Sequence, residues 1–384
     1  MALGIKKISI FTVTFSGMSV WIGFYVWRIM FNNFAVESFS ASPTDVGIIQ
    51  AAREIPGLLA FIAGALALYL TESKIASLSI VLTGLGLLVC GFSPSLIILG
   101  LATVIVSFGF HYFEPANTSQ LLLLVDNNSV GKAQGKLQSY DSLSGLIGAG
   151  MVLLLTIWLD YRQVFYIIGA VVLVVGIYFT IALPANRGKA EKRKVNIKKE
   201  YWLYYTLYFL RGCRRHIFTT FALFLLVKNH ELSIAMVSGV MLANNVITFF
   251  TNRLIGVMSD QLGEKYVLAG SSFILIFIFT GYAFVEYLPL LILFYLIDNI
   301  MFGSSIALKS YISKIASKED LTSCLSFGMT ANHITAVIIP VVGGVMWSLF
   351  GYQATFIGGA VIVLIDMIFA WKIPSGPISA PEAE

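Results

Sequence analysis

Charged residues are scarce in this sequence. Lys, Arg, Asp and Glu make up only 12% of the 384 residues, while 58% are apolar and the mean hydropathy is +0.85. So few polar side chains leave too little hydrophilic surface to cover a water-soluble globule of this size. The composition therefore excludes a soluble enzyme or a soluble binding domain and indicates a chain embedded in a lipid bilayer.

Motifs that carry catalytic chemistry are also absent from the sequence. The chain contains no HExxH metal motif, no GxSxG nucleophile elbow and no phosphate-binding P-loop. Its three cysteines, Cys90, Cys213 and Cys324, lie far apart and form neither a CxxC pair nor an even set for a disulfide framework. We therefore expect no enzymatic activity, no cofactor and no use of bound ATP.

Long apolar runs, in contrast, are abundant. Each continues for about 18–30 residues, which is the length that an α-helix needs to cross a bilayer, and none alternates with period two as in a membrane β-barrel. The first run is too long for the apolar part of a signal peptide. The sequence predicts an all-α integral membrane protein with twelve transmembrane helices, over residues 8–31, 46–70, 75–93, 96–124, 130–159, 163–183, 201–227, 233–258, 266–285, 288–313, 321–349 and 353–372.

Basic residues between the predicted spans fall mostly on one side of the membrane. They concentrate in the N-terminal segment, in the even-numbered loops and at the C-terminal end. Because basic loops stay on the cytoplasmic side, both termini are predicted to be cytoplasmic. The basic run 187–199 is expected to lie against anionic lipid headgroups, so the net charge of +5 requires no nucleic-acid partner.

The two halves of the sequence resemble one another. A constant shift of 192 residues superposes Gly47 on Gly239, Gly64 on Gly256 and Glu72 on Glu264. A repeat of this length with a basic stretch between its copies indicates two related helical bundles. The sequence predicts two pseudo-symmetric six-helix bundles around a central cavity: an N-terminal bundle over 1–185, a cytoplasmic basic linker over 186–200, a C-terminal bundle over 201–373 and a cytoplasmic tail over 374–384.

Ionisable residues inside the predicted spans follow a pattern. Each costs about 2.5–3.5 kcal/mol at the bilayer centre, so it needs a protein partner, a water-filled cavity or a function. The third, sixth and ninth spans contain none, which indicates that these helices face lipid while the others surround a polar space. The residues are Arg28, Arg53, Glu54, His111, Glu114, Asp141, Arg211, Arg214, Arg215, His216, Arg253, Asp298, Lys309, His333 and, as the exception to the pattern, Asp366 in the twelfth span.

The loop after the eighth span resembles a known transporter signature. Gly256, Asp260, Gly263 and Lys265 match the GxxxDxxGxK/R pattern of the major facilitator superfamily. With the twelve spans, the repeat and the central basic linker, the resemblance covers the whole chain. It implies a rocker-switch secondary transporter that works by alternating access. Spans 1, 4, 7 and 10 would line the cavity, spans 2, 5, 8 and 11 would form the interface of the halves, and the others would lie outside.

The same resemblance implies a gating role for this loop. In the superfamily the loop carboxylate holds the two halves in one state by pairing with basic groups and a helix N-terminus. Asp260 is therefore expected to pair with Lys309. The first half departs from the pattern, because Leu68 and Thr71 stand at the corresponding positions of its loop, so the latch is expected on one side alone.

An arginine cluster in the seventh span is the most specific feature of the sequence. Arg211, Arg214 and Arg215 lie near mid-membrane on one helical face, and the guanidinium fork suits bidentate contacts with carboxylate or phosphate. Either they bind an anionic substrate, with Asn245 and Asp298 in the same site, or they pair with the acidic residues of the spans, Asp298 among them. The glycine between the first two arginines is expected to unwind the helix and offer backbone groups to a ligand.

Coupling of transport to protons needs groups that titrate near physiological pH. His111, Glu114, Asp141 and His333 lie on polar faces of their spans and are the candidates for proton coupling. A salt bridge to an arginine is the alternative explanation for Glu114. A lone intramembrane histidine can also be simply hydrogen-bonded.

Two further patterns allow more than one explanation. Arg53 and Glu54 stand just before a proline and form a candidate gate, although a tolerated proline kink with a local ion pair explains them equally well. Cys213, His216 and His333 offer ligands for a soft divalent metal. The neighbouring arginines, however, would repel a cation.

Three functions remain open at this point. The first is proton-coupled symport or antiport of a small organic anion or zwitterion. The second is proton-driven efflux of amphipathic compounds, for which the 14% aromatic content would suffice, and the third is divalent-metal transport. In each case we expect a monomer in the inner or plasma membrane of a bacterium or archaeon, with a small-molecule substrate and protons or another ion as partners.

Overall fold

The structure is a computed structural model that describes residues 10–59, 70–124, 130–182, 198–316 and 318–374, and every regular element in these ranges is helical. Helices are expected here because they satisfy all backbone hydrogen bonds within one segment. They are α1 Ile10–Phe39, α2 Pro43–Leu58, α3 Glu72–Phe92, α4 Leu96–Leu124, α5 Val130–Leu155, α6 Tyr161–Ala182, α7 Trp202–Ile217, α8 Leu223–His230, α9 Ile234–Leu262, α10 Glu264–Phe284, α11 Leu288–Met301, α12 Ser305–Ile315, α13 Lys318–Phe350 and α14 Tyr352–Ala370. The all-α prediction is confirmed for these ranges.

Seven candidate membrane spans occur within the described residues, by length and composition. They are Glu72–Phe92, Leu96–Thr118, Tyr161–Ala182, Glu264–Phe284, Leu288–Ile315, Thr330–Phe350 and Tyr352–Ala370. The end of the predicted second span and most of the predicted linker lie outside the described residues.

Helix α1 continues to Phe39, well past the predicted end of the first span at residue 31. The extension contains polar side chains that find partners. Asn33 Nδ2 donates to Glu37 Oε1 at 2.9 Å, and the Tyr161 hydroxyl donates to Glu37 Oε2 at 2.7 Å. The helix therefore extends beyond the predicted span, and its polar end is stabilised by these contacts.

The seventh and tenth predicted spans are each interrupted. Phe218–Ala222 form a π-helical turn between α7 and α8, and Phe302–Ser304 form a 3₁₀ turn between α11 and α12. Such mid-helix turns often occur at functional sites or hinges. The prediction that Gly212 unwinds its helix is wrong, because α7 is regular there. A Cβ at this position would lie 2.6 Å from Thr335 Oγ1, so the glycine permits close packing.

The chain divides into two compact units. Unit 1 comprises residues 1–41, 52–191 and 233–245, and unit 2 comprises residues 42–51, 192–232 and 246–384. In unit 1, α3 packs against α4 and α6, and α1 packs against α5, α4 and α6. In unit 2, α10 packs against α14, while α7 packs against α13 and α14.

Glycines allow α3 to approach its neighbours closely in unit 1. A Cβ added to Gly84 would lie 2.5 Å from the Leu173 backbone nitrogen, and one added to Gly176 would lie 2.6 Å from the Val81 nitrogen. Lipid offers little hydrophobic drive for helix association, so dense van der Waals packing at small residues has to hold such helices together. A larger side chain at either position would separate α3 from α6.

The helix ends are defined by local signals. Helix α6 begins with a reciprocal capping box, in which the Gln163 backbone nitrogen donates to Asp160 Oδ1 at 2.8 Å and the Asp160 nitrogen donates to Gln163 Oε1 at 3.0 Å. Gly263 connects α9 to α10 with a φ of 87°. This backbone conformation is nearly restricted to glycine, which explains why the signature loop has one there.

Rows of exposed apolar side chains lie on α6 and α10. This is the surface expected of helices that face lipid, in agreement with the absence of ionisable residues from the sixth and ninth predicted spans. The residues are Ile167, Val171, Val174, Tyr178 and Ile181 on α6, and Phe273, Ile274 and Phe277 on α10.

Candidate functional site

The three arginines of α7 lie in different surroundings within unit 2. Arg214 is only 4% exposed, Arg211 is partly buried and Arg215 is exposed. Their spacing along the helix suggested one common face, but the packing of neighbouring helices divides that face. Each arginine therefore has to be assigned a role of its own.

Arg214 forms a buried ion pair with Asp298 of α11. Asp298 is 0% exposed, and the Arg214 guanidinium carbon lies 4.6 Å from the centre of the Phe302 ring. A buried charge needs such a partner, because removing it from water is costly. For Arg214 the structure thus shows internal pairing with an acidic residue, which was one of the two expectations for the arginine cluster. Asp298 is not accessible to a ligand in this structure.

Arg211 forms a second ion pair, with Asp366 of α14. Arg211 Nη2 lies 3.0 Å from Asp366 Oδ2 and also donates to the Leu268 carbonyl at 3.0 Å, while Nη1 donates to Ser304 Oγ at 2.8 Å. The Ser272 hydroxyl donates to Asp366 Oδ2 at 2.6 Å. Asp366 was the one ionisable residue in a span expected to lie outside the bundle, and it pairs with Arg211 on another helix.

Arg215 lies where the two irregular turns meet. Its guanidinium carbon lies 5.7 Å from the centre of the Phe302 ring, in the 3₁₀ turn. Phe302 in turn contacts Phe218 of the π-helical turn, with 5.3 Å between ring centres. The irregular turns thus present an exposed guanidinium beside an aromatic ring, an arrangement suited to binding an anionic group.

Unit 1 contains a second cluster of charged groups, on α2 and α4. Arg53 and Glu54 form an ion pair through Glu54 Oε1, which confirms the predicted local pairing. His111 Nδ1 lies 3.0 Å from the Ser107 carbonyl and 2.9 Å from the Ser107 hydroxyl, and a proton on Nδ1 would allow it to donate to either oxygen. Nε2 is then the ring nitrogen that faces Glu54 Oε2, at 3.8 Å.

Aromatic side chains of α1 hold Arg53 in place. Its guanidinium carbon lies 5.4 Å from the centre of the Trp27 ring and 6.0 Å from that of Phe24. The Trp27 indole donates to Thr103 Oγ1 at 3.1 Å. The sequence analysis did not include these rings, although Trp27 precedes an ionisable residue on the same predicted span.

A group of acidic residues lies elsewhere in unit 1. Asp141 is partly buried and interacts electrostatically with Glu114, which is exposed, and with the Tyr25 phenol. Arg28 also acts on that phenol. Two carboxylates that interact electrostatically form a group that can take up a proton or a cation.

The remaining predicted residues lie on α7, α9 and α13. Asn245 belongs to unit 1, beside Gly145, whose Cβ would lie 3.2 Å from Asn245 Nδ2. His333 is partly buried on α13. Cys213 and His216 are buried on α7, and the described residues place neither in a group of metal-ligand spacing.

The signature loop contributes a carboxylate that the sequence analysis did not select. Glu264 Oε1 lies 2.5 Å from Lys314 Nζ and accepts from the Ser310 hydroxyl at 2.7 Å. Both partners belong to α12, the helix that carries Lys309, whose side chain is exposed. The side chain of Asp260 lies outside the described residues, so its pairing with Lys309 stays a prediction. Glu264 directly follows the glycine of the signature, and this position in the sequence could have identified it.

The fold and the buried charges define a helical integral membrane protein of the transporter class. The chain belongs to the Major Facilitator Superfamily, whose family model matches it over residues 10–203 and again over residues 202–384. The members of this family are transporters, not enzymes.

Two relatives are similar in sequence. An uncharacterized MFS-type transporter of Methanocaldococcus jannaschii is 22% identical over 255 residues, which is 62% of this chain and 63% of that protein. A multi-drug resistance efflux pump PmrA homolog of Lactococcus lactis subsp. lactis is 25% identical over 279 residues, which is 68% of each chain.

Solved transporter structures share the fold. A bacterial homolog of the human lysosomal transporter Spinster, in an inward-facing and occupied conformation, gives a TM-score of 0.77 at 15% identity, covering 94% of this chain and 95% of that one. The nucleoside transporter NupG gives 0.77 at 13% identity, covering 95% and 98%. These similarities describe the fold alone.

Proposed function

We propose that the protein is a secondary active transporter that works by alternating access and moves a small organic anion or zwitterion, driven by protons. The substrate binds at Arg215. Arg211 and Arg214 serve mainly to neutralise buried aspartates, a division of roles that refines the substrate site predicted from the sequence.

The observation that carries this proposal is the exposure of Arg215 at the meeting point of the two irregular helical turns. Arg211 and Arg214 are partly or fully buried, each with a carboxylate within ion-pair distance. The guanidinium of Arg215 is exposed, so a ligand can reach it. A guanidinium is always charged and offers two parallel N–H donors, which match a carboxylate or a phosphate.

Proton coupling is assigned to unit 1 and α13. His111 presents Nε2 to Glu54, and the exposed Glu114 lies in the electrostatic field of Asp141. Groups of this kind change protonation state when a neighbouring charge or the solvent access changes. His333 completes the set, while Arg53 and Glu54, with the predicted pair of Asp260 and Lys309, act in gating.

A second function is supported by a separate observation. The L. lactis relative is described as a multi-drug resistance efflux pump homolog, and unit 1 presents the exposed carboxylate of Glu114 near Asp141. A carboxylate beside apolar surface attracts lipophilic cations. Proton-driven efflux of amphipathic cations is therefore the alternative.

Transport by purified protein in liposomes tests both functions. Pyranine trapped inside the liposomes would report proton movement when a panel of carboxylates, zwitterions and lipophilic cations is added. We expect proton movement with anions or zwitterions, lost in Arg215→Gln and kept in Lys372→Gln. Lys372 is a matched control, because it is an exposed cation 4.7 Å from the centre of the Phe369 ring. A response to lipophilic cations alone would support the alternative and contradict the proposal.

We also infer the membrane topology that this function requires. The chain would cross the membrane twelve times as two pseudo-symmetric bundles, 1–185 and 201–373, with a cytoplasmic linker 186–200 and both termini in the cytoplasm. The double match of one family model supports a repeat. A monomer in the inner or plasma membrane of a bacterium or archaeon is proposed on the same basis.

A further inference from the structure

The exposed face of α7 contains an aromatic ring as well as Arg215. Tyr208 precedes Arg215 by seven residues, so their side chains leave the helix in nearly the same direction, with Cα atoms roughly 10 Å apart. Tyr208 is partly exposed, and its phenol lies within the electrostatic influence of Arg215. A ring and a guanidinium therefore share one face of the helix.

The ring of Tyr208 is held in place by its neighbours in unit 2. A Cβ at Gly328 of α13 would lie 3.0 Å from a Tyr208 ring carbon, so the glycine makes room for the ring. On its own helix the ring packs against Tyr204, with 5.6 Å between ring centres. A ring fixed in this way loses little conformational freedom when it binds a ligand.

The guanidinium of Arg215 is also held beside aromatic surface. Its guanidinium carbon lies 5.7 Å from the centre of the Phe302 ring, and Phe218 packs on that ring. The acidic group of a ligand at Arg215 would thus sit beside a fixed aromatic ring. The apolar part of the ligand would then extend along α7 towards Tyr208.

We propose that the substrate is an aromatic organic anion, whose carboxylate or phosphate binds Arg215 and whose ring packs against Tyr208. This inference rests on the proposed function and adds the class of substrate to it. Offset or edge-to-face contacts between rings contribute beyond the burial of area, so an aromatic anion binds more tightly than a saturated one of equal size.

Binding to the full chain purified in detergent tests the inference by titration calorimetry. The probes are phenylacetate with its saturated analogue cyclohexylacetate, phenyl phosphate with its saturated analogue cyclohexyl phosphate, and the aromatic cation tyramine. Comparing the two pairs separates a phosphate preference from a carboxylate preference. We expect at least one of the two aromatic anions to bind about two- to tenfold more tightly than its own saturated analogue. Tyramine is expected not to bind.

Three variants assign the effect to its residues. Tyr208→Leu should remove the preference for the aromatic ring while anions still bind, and Arg215→Gln should abolish anion binding. Phe209→Leu is the matched control, because Phe209 is an exposed ring on another face of α7 and should leave the preference intact.

The outcomes separate this inference from the proposed function. Equal affinity for the aromatic and the saturated anion within both pairs, with binding still dependent on Arg215, would refute the aromatic class and leave the anion transporter standing. Binding of tyramine in preference to the anions would overturn both. A ring preference that survives in Tyr208→Leu would show that the ring binds elsewhere.

Discussion

The charged residues of unit 1 and unit 2 differ in their burial and in their pairing partners. In unit 2, Arg214 and Asp298 form a pair that is almost fully removed from solvent. In unit 1, Glu54 is approached by both an arginine and a histidine, and Glu114 is exposed near Asp141. A neutral buried pair fixes helices to one another, whereas a carboxylate facing a histidine can respond to protons. The contrast suggests that the buried pairs make unit 2 rigid around the exposed Arg215, and that unit 1 carries the titratable groups.

The largest effect on stability is expected for Asp298→Ala. It would leave the charge of Arg214 buried without its carboxylate, which costs about 3–5 kcal/mol. Thermal unfolding of the purified protein, followed by circular dichroism, should show a large loss of stability. The double variant Arg214→Met with Asp298→Leu removes both charges and should recover much of it. An unchanged midpoint in the single variant would contradict the rigid role of the pair.

Asp366→Ala should have the next largest effect, of about 2–3 kcal/mol. Arg211 would lose its carboxylate but keep its bonds to the Leu268 carbonyl and to Ser304. The same unfolding assay applies, and Ser272→Ala is the control, since it removes one hydroxyl bond to Asp366 and should cost about 1 kcal/mol. A larger loss of stability in Ser272→Ala than in Asp366→Ala would contradict the assignment of Asp366 as the main partner of Arg211.

In unit 1, Glu54→Gln should cost only about 1–2 kcal/mol. Arg53 would lose an ionic partner, but it is held over Trp27 and is partly open to solvent. The amide can still accept from Arg53, which the shorter side chain of Glu54→Ala cannot do, so that variant provides the comparison. A loss equal to that of Asp298→Ala would remove the contrast between the units.

Glu114→Gln should leave stability within about 0.5 kcal/mol of the parent, because the side chain is exposed. Under the proposed function this variant should nevertheless lose proton-coupled transport in the pyranine assay. Measured together, the two results distinguish a titrating group from a structural one. Retention of full proton movement would exclude Glu114 from coupling.

Most of the helical architecture could be predicted from the sequence, because an apolar run in a bilayer has few alternatives to a helix. The irregular turns that interrupt the seventh and tenth predicted spans could not be predicted in this way. Phe218–Ala222 and Phe302–Ser304 contain no proline, and their side chains contact other helical segments: Phe218 packs on Phe302, and the Ser304 hydroxyl accepts from Arg211. Such contacts depend on neighbouring helices that one segment's composition does not describe.

The inventory of site residues was accessible from the sequence, but their pairing was not. An arginine cluster and several acids in apolar spans are visible at once, yet nothing local assigns Asp298 to Arg214 or Asp366 to Arg211. Those partners lie on different helices, so packing alone brings them together. Tyr208 could have been found, since its spacing of seven residues from Arg215 places both on one helical face.

The pairing of Arg211 with Asp366 has a consequence for synthesis on the ribosome. Helix α7 is not among the seven apolar spans found in the described residues. At the mid-membrane position that the sequence predicts, each of its three arginines would oppose insertion by about 2.5–3.5 kcal/mol. The carboxylates that offset two of these charges lie on α11 and α14, which leave the ribosome later. Stable insertion of α7 would then require that α14 has been synthesised. A nascent chain stopped before α14 should therefore be cleaved more readily by proteases of membrane quality control.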